Sequence, residues 1–124
     1  ILGTLIALSK VGHNSFLKFL ANAYTSVFRG TPVMVQLSLS YFALPVVTGY
    51  QISAFTAGII AFSLNSAAYV SESIRGGILS VDKGQIEAAQ ALGVSHRLMM
   101  KDIILPQAIR NILPALVNEI VNLL

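Results

Sequence analysis

The sequence predicts an all-α, polytopic membrane protein with its helices bundled, and three observations carry that prediction. The chain of 124 residues is 55% hydrophobic and only 10% charged, with a mean hydropathy of +0.75, whereas a soluble domain carries about 25% charged residues. From Gly30 to Ser71 there is not one Asp, Glu, Lys or Arg. A bilayer core needs about 20 apolar residues per helix, so this stretch holds two spans. The eight basic residues all lie outside it, scattered between apolar runs. They make no patch for nucleic acid, despite a net charge of +3 and a pI near 9.5, and their placement suits membrane topology. The chain has no cysteine, which excludes disulfides and thiolate metal sites.

Taken in order, residues 1–9 read as the end of a span, apolar apart from Gly3 and Thr4 and closing at Ser9-Lys10. The sequence starts without Met inside this run and stops inside another, so both ends are expected to be cut edges of a longer protein. Residues 10–29 are amphipathic, with Phe16, Leu17, Leu20, Ala23, Tyr24 and Val27 near helical spacing. They suit a helix at the membrane surface or packed on the bundle there. Spans are expected at 31–46 and 53–73, with Pro45 and Thr48-Gly49-Tyr50-Gln51 as the breakers between them. That hairpin returns Arg29 and Arg75 to one side, together with Lys10, Lys18, Lys83, Arg97, Lys101 and Arg110, and the positive-inside rule makes this side cytoplasmic.

The segment 76–106 is then a cytoplasmic loop. Gln85 to Leu92 is rich in good helix formers, Gly93 stands where a left-handed C-terminal residue is needed, and Ser95 is placed to N-cap a second helix. That second helix is expected to end near Pro106, because proline disfavours helix in the residue before it. Small alanines on the first helix suit close approach to another surface. Residues 107–124 begin a further span, with Glu119 about 20 Å along it at 1.5 Å per residue. A carboxylate at that depth should face the bundle interior or water.

The loop contains Glu87-Ala88-Ala89, three residues, Gly93, nine residues, and Ile103-Ile104-Leu105-Pro106. This resembles the cytoplasmic signature loop of permease subunits of binding-protein-dependent ABC importers, and every fixed position of that pattern is matched. The resemblance implies a fold of the type I ABC importer permease kind, in which the loop inserts into a groove on an ATPase subunit. Carried over residue by residue, Glu87, Ala88, Ala89 and Gly93 make the coupling contact. Many relatives carry an acidic residue before the glycine, where this chain has Leu92.

Phe28-Arg29-Gly30-Thr31-Pro32 and Asn65-Ser66-Ala67-Ala68-Tyr69-Val70-Ser71-Glu72, running into Ile74-Arg75-Gly76-Gly77-Ile78, are similar to the polar amino-acid subgroup. That likeness implies import of residues such as histidine, arginine, glutamine, glutamate or cystine across a bacterial cytoplasmic (inner) membrane. It implies as partners two ABC ATPase subunits, an extracytoplasmic solute-binding protein and a second permease subunit, the same or homologous, in a lipid bilayer. ATP would be bound by the ATPase, leaving this chain without a cofactor, and the family's first and last spans largely absent from it.

Two polar stripes are candidates for a substrate pathway. Ala54, Gly58, Ala61, Asn65, Tyr69 and Glu72 recur at helical spacing on one span, and Asn111, Ala115, Asn118 and Asn122 on the next, with Glu119 beside Asn118. Asn65, Tyr69, Asn118 and Glu119 either line a path for a zwitterionic solute or hold helices together. Glu72 either pairs with Arg75 or is solvated. Catalytic readings find no support. No Gly-x-x-x-x-Gly-Lys-Ser/Thr occurs, so the chain does not hydrolyse ATP itself. His13 and His96 lack ligand-spaced partners, so no metal site is expected, and no His lies in a span to serve an intramembrane protease. An ion-coupled secondary transporter and a non-transporting scaffold are the alternatives. Both leave the signature loop unexplained.

Overall fold

The computed structural model describes residues 1–123, with side chains to Val121. Among these residues all regular structure is helical: α1 (Leu2–Val11), α2 (Ser15–Gly30), α3 (Val33–Thr48), α4 (Ala54–Leu79), α5 (Lys83–Ala91), α6 (His96–Met99), a π-turn (Met100–Ile104) and α7 (Leu105–Leu123). The chain divides into two compact units, Ile1–Ser71 and the residues from Glu72 onward.

In the first unit, residues 10–29 are not one helix. Gly12 is extended at φ −66° and ψ 170°, and Asn14 caps α2 by accepting from the Phe16 and Leu17 amides at 3.0 and 3.2 Å. The turn folds α1 onto α2, where the buried Lys10 ammonium donates to Thr25 Oγ1 at 2.6 Å. Thr25 is well placed as acceptor because its own hydroxyl proton reaches back to the Ala21 or Asn22 carbonyl. Gly3 lets α1 approach α4 closely, since a Cβ there would stand 2.9 Å from Val70 Cγ1 and 3.0 Å from the Ala67 carbonyl oxygen.

α2 and α3 meet at a bend of 102°. Proline forces its predecessor out of the helical region, and Thr31 is accordingly extended at φ −118° and ψ 142° before Pro32 starts the next helix. Pro45 does not end α3; it lies in the last turns, and the helix stops at Gly49, left-handed at φ 75°, whose amide donates to the Pro45 carbonyl. α3 leaves Met34, Val35, Leu39, Phe42, Val46 and Val47 exposed, an apolar surface that suits lipid rather than water.

α4 is 26 residues long, about 39 Å at 1.5 Å per residue. Among the described residues it is the one helix long and apolar enough by itself to cross a membrane; α2 and α3 pass that test only as a bent pair. It runs through Gly76-Gly77, where a loop was expected to begin, to Leu79. Its buried line is Ala57, Ala61, Asn65, Ala68 and Ser71, one position off the predicted small-residue stripe at its start: Ala54 is exposed and Gly58 has open space around it.

The second unit is built on a core of Val81, Ala89, Met99, Ile104, Ala108 and Ile112, with Ile74, Ile78, Ile86, Val94 and Leu116 against it. The helix begun at His96 does not end at Pro106. It passes through, because Met100–Ile104 widen into a π-turn in which the Leu105 amide donates to the Met100 carbonyl, five residues back. The wider turn accommodates a residue that brings a ring and no donor. Gln107 Nε2 donates to the Ile103 carbonyl at 2.9 Å, supplying a side-chain donor to the same turn.

Candidate functional site

The Glu87–Gly93 segment is positioned by caps at both ends of α5. Asp82 is the N-cap, its carboxylate accepting from the Gly84 amide at 2.7 Å. At the other end Gly93 is left-handed at φ 72°, the Val94 amide donates to the Ala89 carbonyl and the Gly93 amide to the Gln90 carbonyl, each at 3.0 Å. Those two bonds define a Schellman motif, and the accompanying apolar contact is there as well, with Val94 packed on the cluster that holds Ala89. Ser95 occupies the N-cap position of α6, yet its side chain makes no capping bond.

The resulting α5 has two sides. Ile86 and Ala89, three apart, turn inward; Ala89 is 3% exposed and belongs to the core. Glu87, Ala88, Ala91 and Gly93 are exposed, and Leu92 projects at 82% exposure. Of the four residues expected to touch an ATPase, Glu87, Ala88 and Gly93 are therefore free to do so in the isolated chain. Ala89 instead seats the helix on its own unit, since an alanine buried in that core has no surface to offer.

The candidate pathway residues have different surroundings. Asn65 is buried, and its Nδ2 donates to the Phe28 carbonyl at 3.2 Å and to Gln36 Oε1 at 3.0 Å. Gln36, also buried, donates through Nε2 to the Phe28 carbonyl at 2.9 Å, the Thr31 carbonyl at 3.1 Å and Thr31 Oγ1 at 2.8 Å. Tyr24 adds a 2.6 Å bond from its hydroxyl to the Leu64 carbonyl. These bonds fasten the α2–α3 corner to the middle of α4. They satisfy backbone carbonyls that an apolar surrounding would leave costly, so Asn65 is engaged in holding helices. Tyr69 is half-buried with the Arg29 guanidinium 5.3 Å from its ring centre, a cation–π contact. Gln36 was missed in the sequence; a lone amide in an uncharged apolar helix was the available signal.

In the second unit Asn118 is exposed and Glu119 half-buried on α7. Asn111, from the same stripe, donates to Ser80 Oγ at 2.8 Å, tying α7 to the end of α4. The side chain of Asn122 lies outside the described residues. Glu72 pairs with Arg75, its Oε2 accepting from Nη2 at 2.8 Å and Nε at 3.1 Å. His13 and His96 are exposed. Among the described residues no group of three His, Asp or Glu side chains is arranged to hold a metal ion.

One unit holds a capped two-helix element that leads without a break into a long helix, the other holds apolar helices fastened by buried amides, and both are parts expected of a transport-system membrane component. The chain belongs to the family of binding-protein-dependent transport system inner membrane components, which it matches over residues 1–124. It is 60% identical over 124 residues to the Rickettsia conorii protein provisionally named glutamine transport system permease protein GlnP, covering 100% of this chain and 57% of that one. It is 55% identical over 123 residues to the arginine transport system permease protein ArtQ of Bacillus subtilis, covering 99% and 56%. A crystal structure of an amino acid ABC transporter with histidines superposes with a TM-score of 0.90 at 51% identity, over 95% of this chain and 55% of that chain. The chain thus spans a little over half the length of the curated relatives it matches.

Proposed function

We propose that this chain is the coupling and translocation part of a permease subunit in an ATP-driven importer of polar amino acids, in a bacterial cytoplasmic membrane. The observation that carries the proposal is the Glu87–Gly93 element: capped at both ends, exposing Glu87, Ala88 and Gly93, and seated through Ala89 on the core that includes Ile104, Ala108 and Ile112 of the helix beyond. A partner ABC ATPase binds and hydrolyses ATP; this chain receives the resulting displacement at the exposed side of α5. A second permease subunit completes the membrane part, and an extracytoplasmic solute-binding protein delivers substrate. The names of the relatives, glutamine and arginine permeases, support a substrate with both an ammonium and a carboxylate. Tyr69, Asn118 and Glu119 are the side chains proposed to meet it. Asn65 serves as a structural tie between α4 and the α2–α3 corner.

The test is uptake of labelled glutamine and arginine into proteoliposomes holding the full-length subunit, its ATPase and its binding protein. ATP-dependent uptake is expected, with Ala88→Arg and Gly93→Arg abolishing it while the separate ATPase still hydrolyses ATP. Uptake that survives both substitutions would remove the docking role, and uptake that survives ATP depletion would transfer the protein to the ion-coupled class.

A further inference from the structure

We propose that α2 lies in the plane of the membrane interface, its apolar side sunk into the headgroup–acyl boundary of the lipid, and does not form part of a bent span. At 100° per residue, the sixteen positions of α2 sort into three sides rather than two. Phe16, Phe19, Leu20, Ala23 and Val27 occupy an arc of about 100° and all are exposed. Ala21 and Thr25, both buried, mark a second side, against the Lys10 ammonium. Ser15, Lys18 and Asn22 form the third, exposed and polar. A helix spanning the acyl core would be solvated by lipid around its free circumference and has no use for a continuous polar side there. A helix floating on the interface needs just this division: one side to protein, one to lipid, one to headgroups and water.

Two further observations support lipid as the occupant of the apolar side. The family is one of inner membrane components, so a bilayer is the apolar phase available to Phe16 and Phe19, which are each 68% exposed. The bend of 102° turns α2 almost at right angles to α3. Because α3 exposes Met34, Val35, Leu39, Phe42, Val46 and Val47, it is the helix suited to the acyl core, and placing α3 across the bilayer puts α2 along its surface. Lys18, on the polar side and exposed, is placed to meet anionic headgroups.

The chain contains no tryptophan, which allows a direct measurement. Phe19→Trp and, separately, Phe16→Trp and Asn22→Trp are placed in the full-length subunit with its remaining tryptophans replaced. Each is reconstituted in vesicles of phosphatidylethanolamine and phosphatidylglycerol carrying bromines either near the headgroup or at the chain end. Tryptophan at 16 and at 19 is expected to be quenched more by the shallow bromines than by the deep ones, at about 5–10 Å into the boundary, and weakly by aqueous iodide. Tryptophan at 22 is expected to show the reverse preference, for iodide over either lipid. If 16 or 19 answers mainly to the deep bromines, α2 is half of a bent span and the proposal fails. If neither lipid nor iodide reaches them, the side is covered by protein, and if iodide alone reaches them, it faces water; either result also overturns it. The two apolar-side variants report independently, so loss of one to misfolding leaves the other as the test. None of these readouts depends on transport, so the orientation of α2 and the importer reading stand or fall separately.

Discussion

Replacing Gly77 with alanine adds a methyl group where there is no room for one. The new Cβ would overlap Ile112 Cγ1, stand 2.8 Å from its Cδ1 and 3.1 Å from the Ala108 carbonyl oxygen. Cγ1 is not the far end of a flexible side chain, and Ile112 is 8% exposed beside an Ala108 at 0%, so neither neighbour can give way without moving α7. Forcing a methyl into such packing costs about 1–3 kcal/mol. Gly76 is the control. It sits one residue earlier on the same helix with nothing within 4 Å of its Cβ position. Alanine at either place gains the same helix propensity, about 0.8–1.0 kcal/mol, so the difference between the two variants isolates packing. Gly76→Ala should stabilise the protein and Gly77→Ala should fall below it by about 1–3 kcal/mol. Heat denaturation of the full-length subunit in detergent would show this as a gap of about 2–4 °C per kcal/mol. Ile112→Ala makes room, so combined with Gly77→Ala it should cost at least about 1 kcal/mol less than the sum of the two single changes. Equal melting of Gly76→Ala and Gly77→Ala would refute the close approach of α4 and α7.

Three other predictions use the same denaturation assay. Gly93→Ala should lose about 1–2 kcal/mol because the left-handed backbone is costly for an L-residue, while Gly93→Asn should lose clearly less; the open space around Gly93 means that sterics make no contribution. Asp82→Ala removes the acceptor of the Gly84 amide and should cost about 0.5–2 kcal/mol, with Asp82→Asn nearly neutral. Asn65→Leu deprives Gln36 Oε1 of its donor and should cost about 1–3 kcal/mol, against little or nothing for Asn118→Leu on the exposed side of α7.

The parts of this fold that were legible are those decided by local chemistry. Residues 45–106 show how far that goes. Gly93 announced its left-handed cap because only glycine takes that conformation at no steric cost, and the helix before it followed from alanine and glutamate. Pro45 and Pro106 mislead for one reason: local rules make each a stop, yet both lie inside helices. A proline removes one hydrogen bond and crowds one carbonyl. In the last turns of α3 that loss is shared with an end that was coming anyway at Gly49. At Pro106 it is absorbed by the π-turn, which is bracketed by Met99 and Ile104 in the core. The local sequence carries no mark of that wider turn. The inward turn of Ala89 was hidden likewise: Ala88 and Ala89 are the same residue type, and only the register of α5 on Val81 and Met99 separates surface from core.

That register bears on how the proposed coupling would work. A helix stopped at Pro106 would have left a joint between the docking element and α7, and a displacement at Glu87 could be lost in that joint. The continuous helix from His96 to Leu123, which carries Pro106 and Pro114 within it, is about 42 Å long. α5 has no such backbone continuity with it, since Leu92 to Ser95 intervene. What joins them is the packing of Ile86, Ala89 and Val94 on Met99, Ile104 and Ala108. Close-packed interiors transmit strain, so a push on the exposed Glu87–Ala88 side reaches α7 through the Ala89 methyl and its neighbours. Enlarging Ala89 should therefore damage coupling more than enlarging Ala88 damages stability: Ala89→Leu would lift α5 off that long helix, whereas Ala88→Leu would alter only the surface a partner meets. ATPase binding retained by Ala89→Leu with uptake lost, alongside a normal melting temperature for Ala88→Leu, is the pattern this mechanism requires. Normal uptake in Ala89→Leu would show that α5 does not drive α7 through that contact.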